Sequence, residues 1–148
     1  MAATLHRSWS YDLSTSTLYE LLKLRVEVFV VEQKCPYPEL DGRDLEPETR
    51  HFWLESDGEV IATIRLLEEH QDGKTFRIGR LCARTDVRGE GHTTRLLQAA
   101  LAEVGSDPCV INAQTYLVDM YAKHGFKSVG PEFPLDGIPH VPMQRGGN

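Results

Sequence analysis

Cysteine is scarce and scattered in this chain: Cys35, Cys82 and Cys109 stand far apart among 148 residues. No C-x-x-C pair is present and no His/Cys group has zinc-site spacing, so neither a disulfide framework nor a metal centre is expected. The thiols read as the reduced side chains of a cytoplasmic protein. No run approaches the ~18 apolar residues that a membrane-spanning helix needs, and no basic region followed by an apolar core opens the chain. Neither insertion nor export is expected. Basic residues are in the minority, 16 Lys and Arg against 22 Asp and Glu, for a net charge of −6. That balance argues against nucleic acid or an anionic membrane as the main partner, and it favours a cationic substrate. Internal repeats and low-complexity segments are absent. Residues 1–148 read as one domain, long enough to bury a core without staples, with a tail from Arg145 to Asn148 expected to fray.

Apolar periodicity supplies the elements. His6 to Tyr11 suit a short first strand. Ser14-Thr-Ser-Thr17 offers helix caps, with Thr17 and Glu20 in capping-box spacing. The helix that follows places Leu18, Leu21, Leu22, Val26 and Phe29 on one face and is expected to end near Glu32 or Gln33, ahead of Pro36. Lys34 to Glu48 is too rich in proline and acid for regular structure. It reads as a solvated loop whose Glu39, Asp41, Asp44, Glu46 and Glu48 can also draw an amine to an entrance. Arg50 to Glu55, the Asp57-Gly58 turn and Glu59 to Leu67 form a hairpin, with Val60, Ala62, Ile64 and Leu66 sharing a face. A turn at Asp72-Gly73 leads to a third antiparallel strand ending at Ala83.

Leu96, Leu97, Ala100, Leu101 and Val104 then recur at helical spacing. Cys109 to Ala113 is a short strand, parallel to its neighbour because a helix carries the chain across. A short helix from about Tyr116 to His124 stops at Gly125. Strands near Lys127 to Phe133 and Pro139 to Gln144 flank Asp136-Gly137. The order β-α-β-β-β-α-β-α-β-β describes an α/β protein with a mixed, mostly antiparallel sheet and helices packed on it.

The turn from the third antiparallel strand into its helix carries Arg88-Gly89-Glu90-Gly91-His92-Thr93-Thr94. Two glycines at a helix mouth let the backbone aim successive N–H groups at one point, a nest that the helix dipole makes attractive to phosphate. Arg88, with Arg84 and Arg95 nearby, adds charge that can pair with phosphate oxygens. The same glycines serve equally in a tight turn without a ligand.

Arg88-Gly-Glu-Gly91-His-Thr93 resembles the pyrophosphate loop Q/R-x-x-G-x-G/A of the Gcn5-related N-acetyltransferases, with Thr93 where that family has glycine or alanine. Downstream, Tyr121-Ala-Lys-His-Gly125-Phe126 resembles the Y-x-x-x-G-F signature that closes the family's core. Phe29-Val-Val-Glu-Gln33, Cys35-Pro-Tyr37, Asp41-Gly-Arg-Asp44 and Asp136-Gly-Ile-Pro-His140 are similar to the small ElaA-type branch. The resemblance spans roughly Leu18 to Met143. It implies acetyl-CoA as co-substrate without a metal, an amine-bearing acceptor, and direct transfer in a ternary complex.

It also implies roles. Leu81, Cys82 and Ala83 would hold the pantetheine through backbone groups, between strands that splay near Ala83. Tyr121 would act as general acid toward the departing sulfur, a limited role by its chemistry: a phenol of pKa ~10 is a weaker acid than a thiol of ~8.5. Gln114 stands where the family often has asparagine, within reach of a pantetheine amide or Tyr121, and Leu117 replaces an alanine. Cys82 reads as a buried thiol rather than a nucleophile. An amine of pKa ~10 must lose a proton before attack, and Glu32, Asp41, His51 and His140 are the candidate bases. Glu32 and His140 lead, because both lie in ElaA-like segments and each can face the substrate side. The alternatives are a module that senses acetyl-CoA without chemistry and a phosphate loop for another nucleotide. A homodimer through the sheet edge or helices suits such a fold, and no residue specifies one.

Overall fold

The computed structural model describes residues 2–147; Met1 and Asn148, the ends of the expected domain and the last residue of the expected frayed tail, lie outside them. Twelve elements follow in order: β1 (Thr4–Trp9), α1 (Thr15–Arg25), a π-helical segment (Val26–Glu32), β2 (Arg50–Ser56), β3 (Glu59–Glu69), β4 (Thr75–Ala83), α2 (His92–Val104), β5 (Cys109–Gln114), α3 (Val118–Ala122), β6 (Lys127–Ser128), β7 (Phe133–Leu135) and β8 (Ile138–Arg145). The sheet runs β1-β2-β3-β4-β5-β8-β6, with β7 paired to β8. Among the described residues only β4 and β5 pair in parallel, as the helical crossover between them requires.

Side-chain alternation divides the core between two faces. Phe52, Leu54, Ile64, Leu66, Phe76 and Ile78 pack under α2, whose Leu96, Leu97, Ala100, Leu101 and Val104 are buried as their spacing demands. On the opposite face Trp53, Val60 and Cys82 meet Leu21, Leu24 and Val28 of the first helix. Cys35, Cys82 and Cys109 are buried, free thiols. No helix among the described residues is long and apolar enough to cross a membrane.

Several expectations need correction. The first strand lies two residues earlier than expected, because the Ser10 N–H turns out to the Thr49 carbonyl at 2.9 Å and starts a 3-10 turn. Ser14, not Thr17, caps α1, its Oγ accepting the Thr17 N–H at 3.1 Å. The expected strand over Lys127 to Phe133 is split into β6 and β7 around Gly130-Pro131, where proline removes a ladder donor. The helix expected from Tyr116 to His124 is a 3-10 turn at Thr115–Leu117 followed by α3. Arg145 belongs to β8 rather than to a frayed tail.

Two corrections bear on the site. The inward face of the first helix is Leu21, Leu24, Arg25 and Val28, while Leu18, Leu22, Val26 and Phe29 are only half-buried. Arg25 is drawn inward by the segment read as a solvated loop. In that segment Glu39 is 3 % exposed and Asp44 5 %. Arg25 Nε donates to Glu39 Oε2 at 2.7 Å and its Nη1 to Asp44 Oδ1 at 2.5 Å. Arg65 of β3 donates from Nη1 and Nη2 to Asp41, each at 2.9 Å, and Arg80 of β4 reaches Glu39 Oε2 at 2.8 Å. Of the five acids only Glu39 and Asp44 are buried; Asp41, although paired with Arg65, and Glu46 and Glu48 stay at the surface.

Opposite charges are held out of water here by near-ideal geometry, so losing one partner strands the others. Arg25→Met is expected to lower unfolding free energy by about 3–5 kcal/mol in urea titrations. Acid should loosen the same loop. Burial pushes the Asp41 carboxyl up, but the hydrogen bonds and charge of Arg65, aided by the Arg43 N–H and Arg80, hold it down to about 2. The folded value lies below the ~3.9 of an unfolded aspartate, so this contribution is complete above pH ~4 and is lost as pH falls toward 2. The urea midpoint of the native chain should therefore fall more steeply over that window than that of Asp41→Asn.

Candidate active site

β4 and β5 touch through two residue pairs, Phe76 with Cys109 and Arg77 with Val110, and then part. A bulge helps to part them. Thr63 faces Cys82 while Arg65 faces Gly79, so two steps along β3 match three along β4, and Arg80 takes up the extra residue at φ +56°. Beyond the bulge Leu81, Cys82 and Ala83 keep β3 on one side and have no strand on the other. Apart from the Ala83 carbonyl, which accepts from Arg88, this edge is open to a ligand lying alongside as an added strand.

A cavity of about 420 Å³ fills the gap. Leu81, Cys82 and Ala83 form one wall, Val28, Phe29 and Glu32 of the π-helical segment cover it, and Gln114, Met120 and Tyr121 close the far side. Its outer end is the glycine loop. Gly89 and Gly91 adopt φ +83° and +81°, and Gly91 caps α2. The first N–H groups of α2 lack partners within the helix and point out of its mouth. Arg88, Gly89, Gly91, His92 and Thr93 line this end, Thr93 within the first helical turn. Glu90 and Thr94 are exposed and do not line it.

Two assignments change. Arg88 is not poised for phosphate: its Nη1 and Nη2 donate to Glu32 at 2.5 and 2.7 Å, while its Nε and Nη2 donate to the Ala83 carbonyl at 3.1 and 3.0 Å. It ties the loop to the end of β4 and to the helix above. Glu32, in turn, lies in this cavity and not in the second one described below, and the Arg88 hydrogen bonds hold its carboxyl below the usual range. It is a poor base and a good brace. Cys82 is also no nucleophile, since burial pushes its thiol up to about 12.

A second cavity of about 180 Å³ opens on the other side of the gap. Phe29, Gln33, Leu81, Gln114, Leu117 and Tyr121 line both. The Tyr121 ring is 4 % exposed and stands edge-on to Phe126, with centroids 5.9 Å apart. Burial, then the nearby Tyr116, raises its phenol above the ordinary value. Its hydroxyl has no hydrogen-bond partner among the described residues. Gln114 reaches Gln33 Oε1 at 3.5 Å rather than Tyr121.

Of the four candidate bases only His140 lines this second cavity. Its Nδ1 lies 2.7 Å from the Ile138 carbonyl, an acceptor that assigns the proton to Nδ1 and leaves Nε2 with the lone pair. Asp41 is spent on Arg65 and Arg80. His51 is buried against the Asp44 carbonyl at 3.2 Å, and burial lowers its pKa. Sequence reasoning missed Tyr37, Arg65, Arg77, Arg80 and Asp136, all lining the second cavity. Asp136 had a signal, since Asp-Gly between two strands marks a hairpin that brings Asp136 back toward Cys35, whose Sγ donates to its carbonyl at 3.3 Å.

A parallel strand pair that opens into a cleft, closed at one end by a glycine loop at a helix N-terminus, is the architecture of the acyl-CoA-dependent acyltransferases of the GNAT fold. Residues 18–146 match the profile of the acetyltransferase (GNAT) domain, and the chain belongs to that family. Within it, a UPF0039 protein of Mycobacterium tuberculosis is 67% identical over 150 residues, covering 100% of this chain and 96% of the relative. ElaA of Escherichia coli is 38% identical over 145 residues, covering 95% and 93% of the two chains. The crystal structure of an acyl-CoA N-acyltransferase from Pseudomonas aeruginosa superposes with a TM-score of 0.93 at 37% identity, over 98% of this chain and 100% of that one. Members of the family use acyl-CoA as co-substrate, so this chain's chemistry is acyl-CoA-dependent acyl transfer.

The left-handed backbone at Gly91 gives a direct check on the donor end. Alanine there costs about 1–2 kcal/mol of local strain, and each 1.4 kcal/mol diverted from binding is about tenfold in affinity. Gly91→Ala should weaken binding of the acyl-CoA co-substrate about tenfold by calorimetric titration while leaving far-ultraviolet circular dichroism unchanged.

Proposed function

We propose that this protein is an N-acetyltransferase that moves the acetyl group of acetyl-CoA to a primary amine by direct attack in a ternary complex. The observation that carries the reading is the meeting of two cavities across the β4–β5 gap at Tyr121, Gln114 and Leu81. The larger suits the pyrophosphate and pantetheine of the donor. The smaller holds the acceptor, and the thioester lies where they join.

The pantetheine amides pair with the open edge of Leu81 to Ala83, and the Leu81 backbone lies where an N–H can polarise the thioester oxygen. His140 Nε2 takes a proton from the incoming ammonium, directly or through water, freeing the lone pair. The amine nitrogen attacks the carbonyl carbon and gives up its second proton to solvent, the carbon–sulfur bond breaks, and the electron pair leaves on sulfur. Tyr121 meets that developing charge. Its raised pKa keeps the phenol protonated at all working pH values, and it makes complete proton transfer to a thiolate still less favourable than for a free phenol. The phenol therefore acts chiefly as a hydrogen-bond donor to the sulfur, with solvent completing protonation of the released CoA. Glu32 has no part in these steps beyond holding Arg88.

Selective binding to the native state must raise the melting temperature, so acetyl-CoA should raise it where ATP and NAD do not. Absence of that shift at millimolar acetyl-CoA would refute the donor assignment. Tyr121→Phe should lower kcat about 10²-fold with the acetyl-CoA shift retained. His140→Gln should lower kcat/KM at least tenfold, and Glu32→Gln should leave it near the native value. A selective shift without thiol release on any amine would point instead to a sensor of acetyl-CoA.

A further inference from the structure

The smaller cavity has an electrical polarity that the acidic composition conceals. Its β3–β4 wall carries three guanidinium groups, Arg65, Arg77 and Arg80, while its β8 side carries His140 and, in the turn before that strand, Asp136. The carboxylates that partner Arg65 and Arg80 do not line the cavity. Glu39 and Asp44 are buried behind the arginines, and Asp41 closes the loop beside them.

The guanidiniums are incompletely used. Arg77 spends Nε on Glu69 at 3.2 Å, an acid it shares with Arg43, and its Nη1 and Nη2 have no hydrogen-bond partner among the described residues. Arg80 spends Nε and Nη2 on Glu39 and Asp41, leaving Nη1 without one. Arg65, only 4 % exposed, has an Nε that is buried and unpartnered. Between these side chains the wall is bare. Gly79 faces Arg65 across the β3–β4 ladder, its φ is not left-handed, and a Cβ added there would meet nothing within 4 Å.

Planar forks with spare N–H donors suit a carboxylate, which they can grip through two oxygens, and they repel a polycation. The opposite side supplies a carboxylate and an imidazole for an ammonium. The volume of about 180 Å³ equals roughly six water shares of ~30 Å³, the size of a small zwitterion.

We propose that the acceptor is a free amino acid or close analogue, its carboxylate held by Arg77 and Arg80 and its amine directed to His140. This rests on the acyl-transfer reading above and names the substrate class of that site. A cationic acceptor, which the net charge alone favours, is the reading it replaces.

The test is thiol release from acetyl-CoA with a panel of amino acids, each beside its own amide, together with spermidine and a lysine peptide. Free acids are expected to exceed their amides at least tenfold in kcat/KM. Arg77→Gln should raise KM for the acid at least tenfold and leave that for the amide unchanged. Gly79→Leu, placed in open space, should abolish use of the acid while keeping the acetyl-CoA melting shift. Amides, spermidine or the peptide serving as well as the acids would overturn the proposal and leave acyl transfer intact. If no amine is turned over, acyl transfer itself fails, and calorimetric titration of the same acids and amides into the CoA complex decides the cavity. Acid-selective binding lost in Arg77→Gln supports the carboxylate site, and binding without that selectivity ends it.

Discussion

Everything in the site depends on β4 and β5 being joined by two residue pairs and no more. A longer ladder would satisfy the backbone of Leu81 to Ala83 internally and leave no edge for a ligand. The cost of the open edge is unpaired polar backbone in a partly buried place, tolerable because a ligand strand or water can satisfy it. The bulge at Arg80, in the β3–β4 pairing, follows three residues after the last β4–β5 pair. Its left-handed backbone is a strain that a non-glycine residue does not adopt without compensation, and the compensation is visible in the two acids that grip the Arg80 side chain.

That grip belongs to a wider brace. Arg25 comes from α1, Arg65 from β3 and Arg80 from β4, and three acids of one loop join them. Apolar side chains of the same volume would bury with less desolvation cost, but they would not dictate which element meets which. Charges with directional donors fix one arrangement of loop, helix and bulge. On the donor side Arg88 does the same, joining the glycine loop, the end of β4 and Glu32. The π-helical turns between the two braces carry Phe29 and Gln33 over both cavities, because i→i−5 bonds such as Gln33 N–H to Val28 C=O at 3.2 Å widen the coil and turn its later residues toward the gap.

The fold's repetitive parts were legible and its braces were not. The β2–β3 hairpin, the buried stripe of α2 and the parallel β5 follow from period, turn chemistry and crossover handedness, all of which act within a few tens of residues. Gly89, Gly91 and Tyr121 were legible through motif spacing. The face of α1 was misread because Arg25 counts as polar in any periodicity, while its partners lie 14 and 19 residues away in the loop. Glu39 and Asp44 were misread for the converse reason: an acid's burial depends on which arginine it meets, and Arg65 and Arg80 are on other strands. Arg88 and Glu32 each look reactive in isolation, and only their mutual pairing, 56 residues apart in sequence, shows them to be a brace.

Net charge misleads here by the same mechanism. A chain with a formal charge of −6 invites a cationic acceptor, yet a site feels only the groups that face it, weighted by distance and screening. Glu39, Asp41 and Asp44 of the 34–48 loop are consumed in pairs with arginines of α1, β3 and β4, and of these arginines Arg65 and Arg80 line the smaller cavity while the three acids do not. Such a pair is nearly neutral from far away and positive from one side. The elements that specify the fold therefore also set the charge presented on the β3–β4 wall of the smaller cavity, without any residue devoted to that purpose alone.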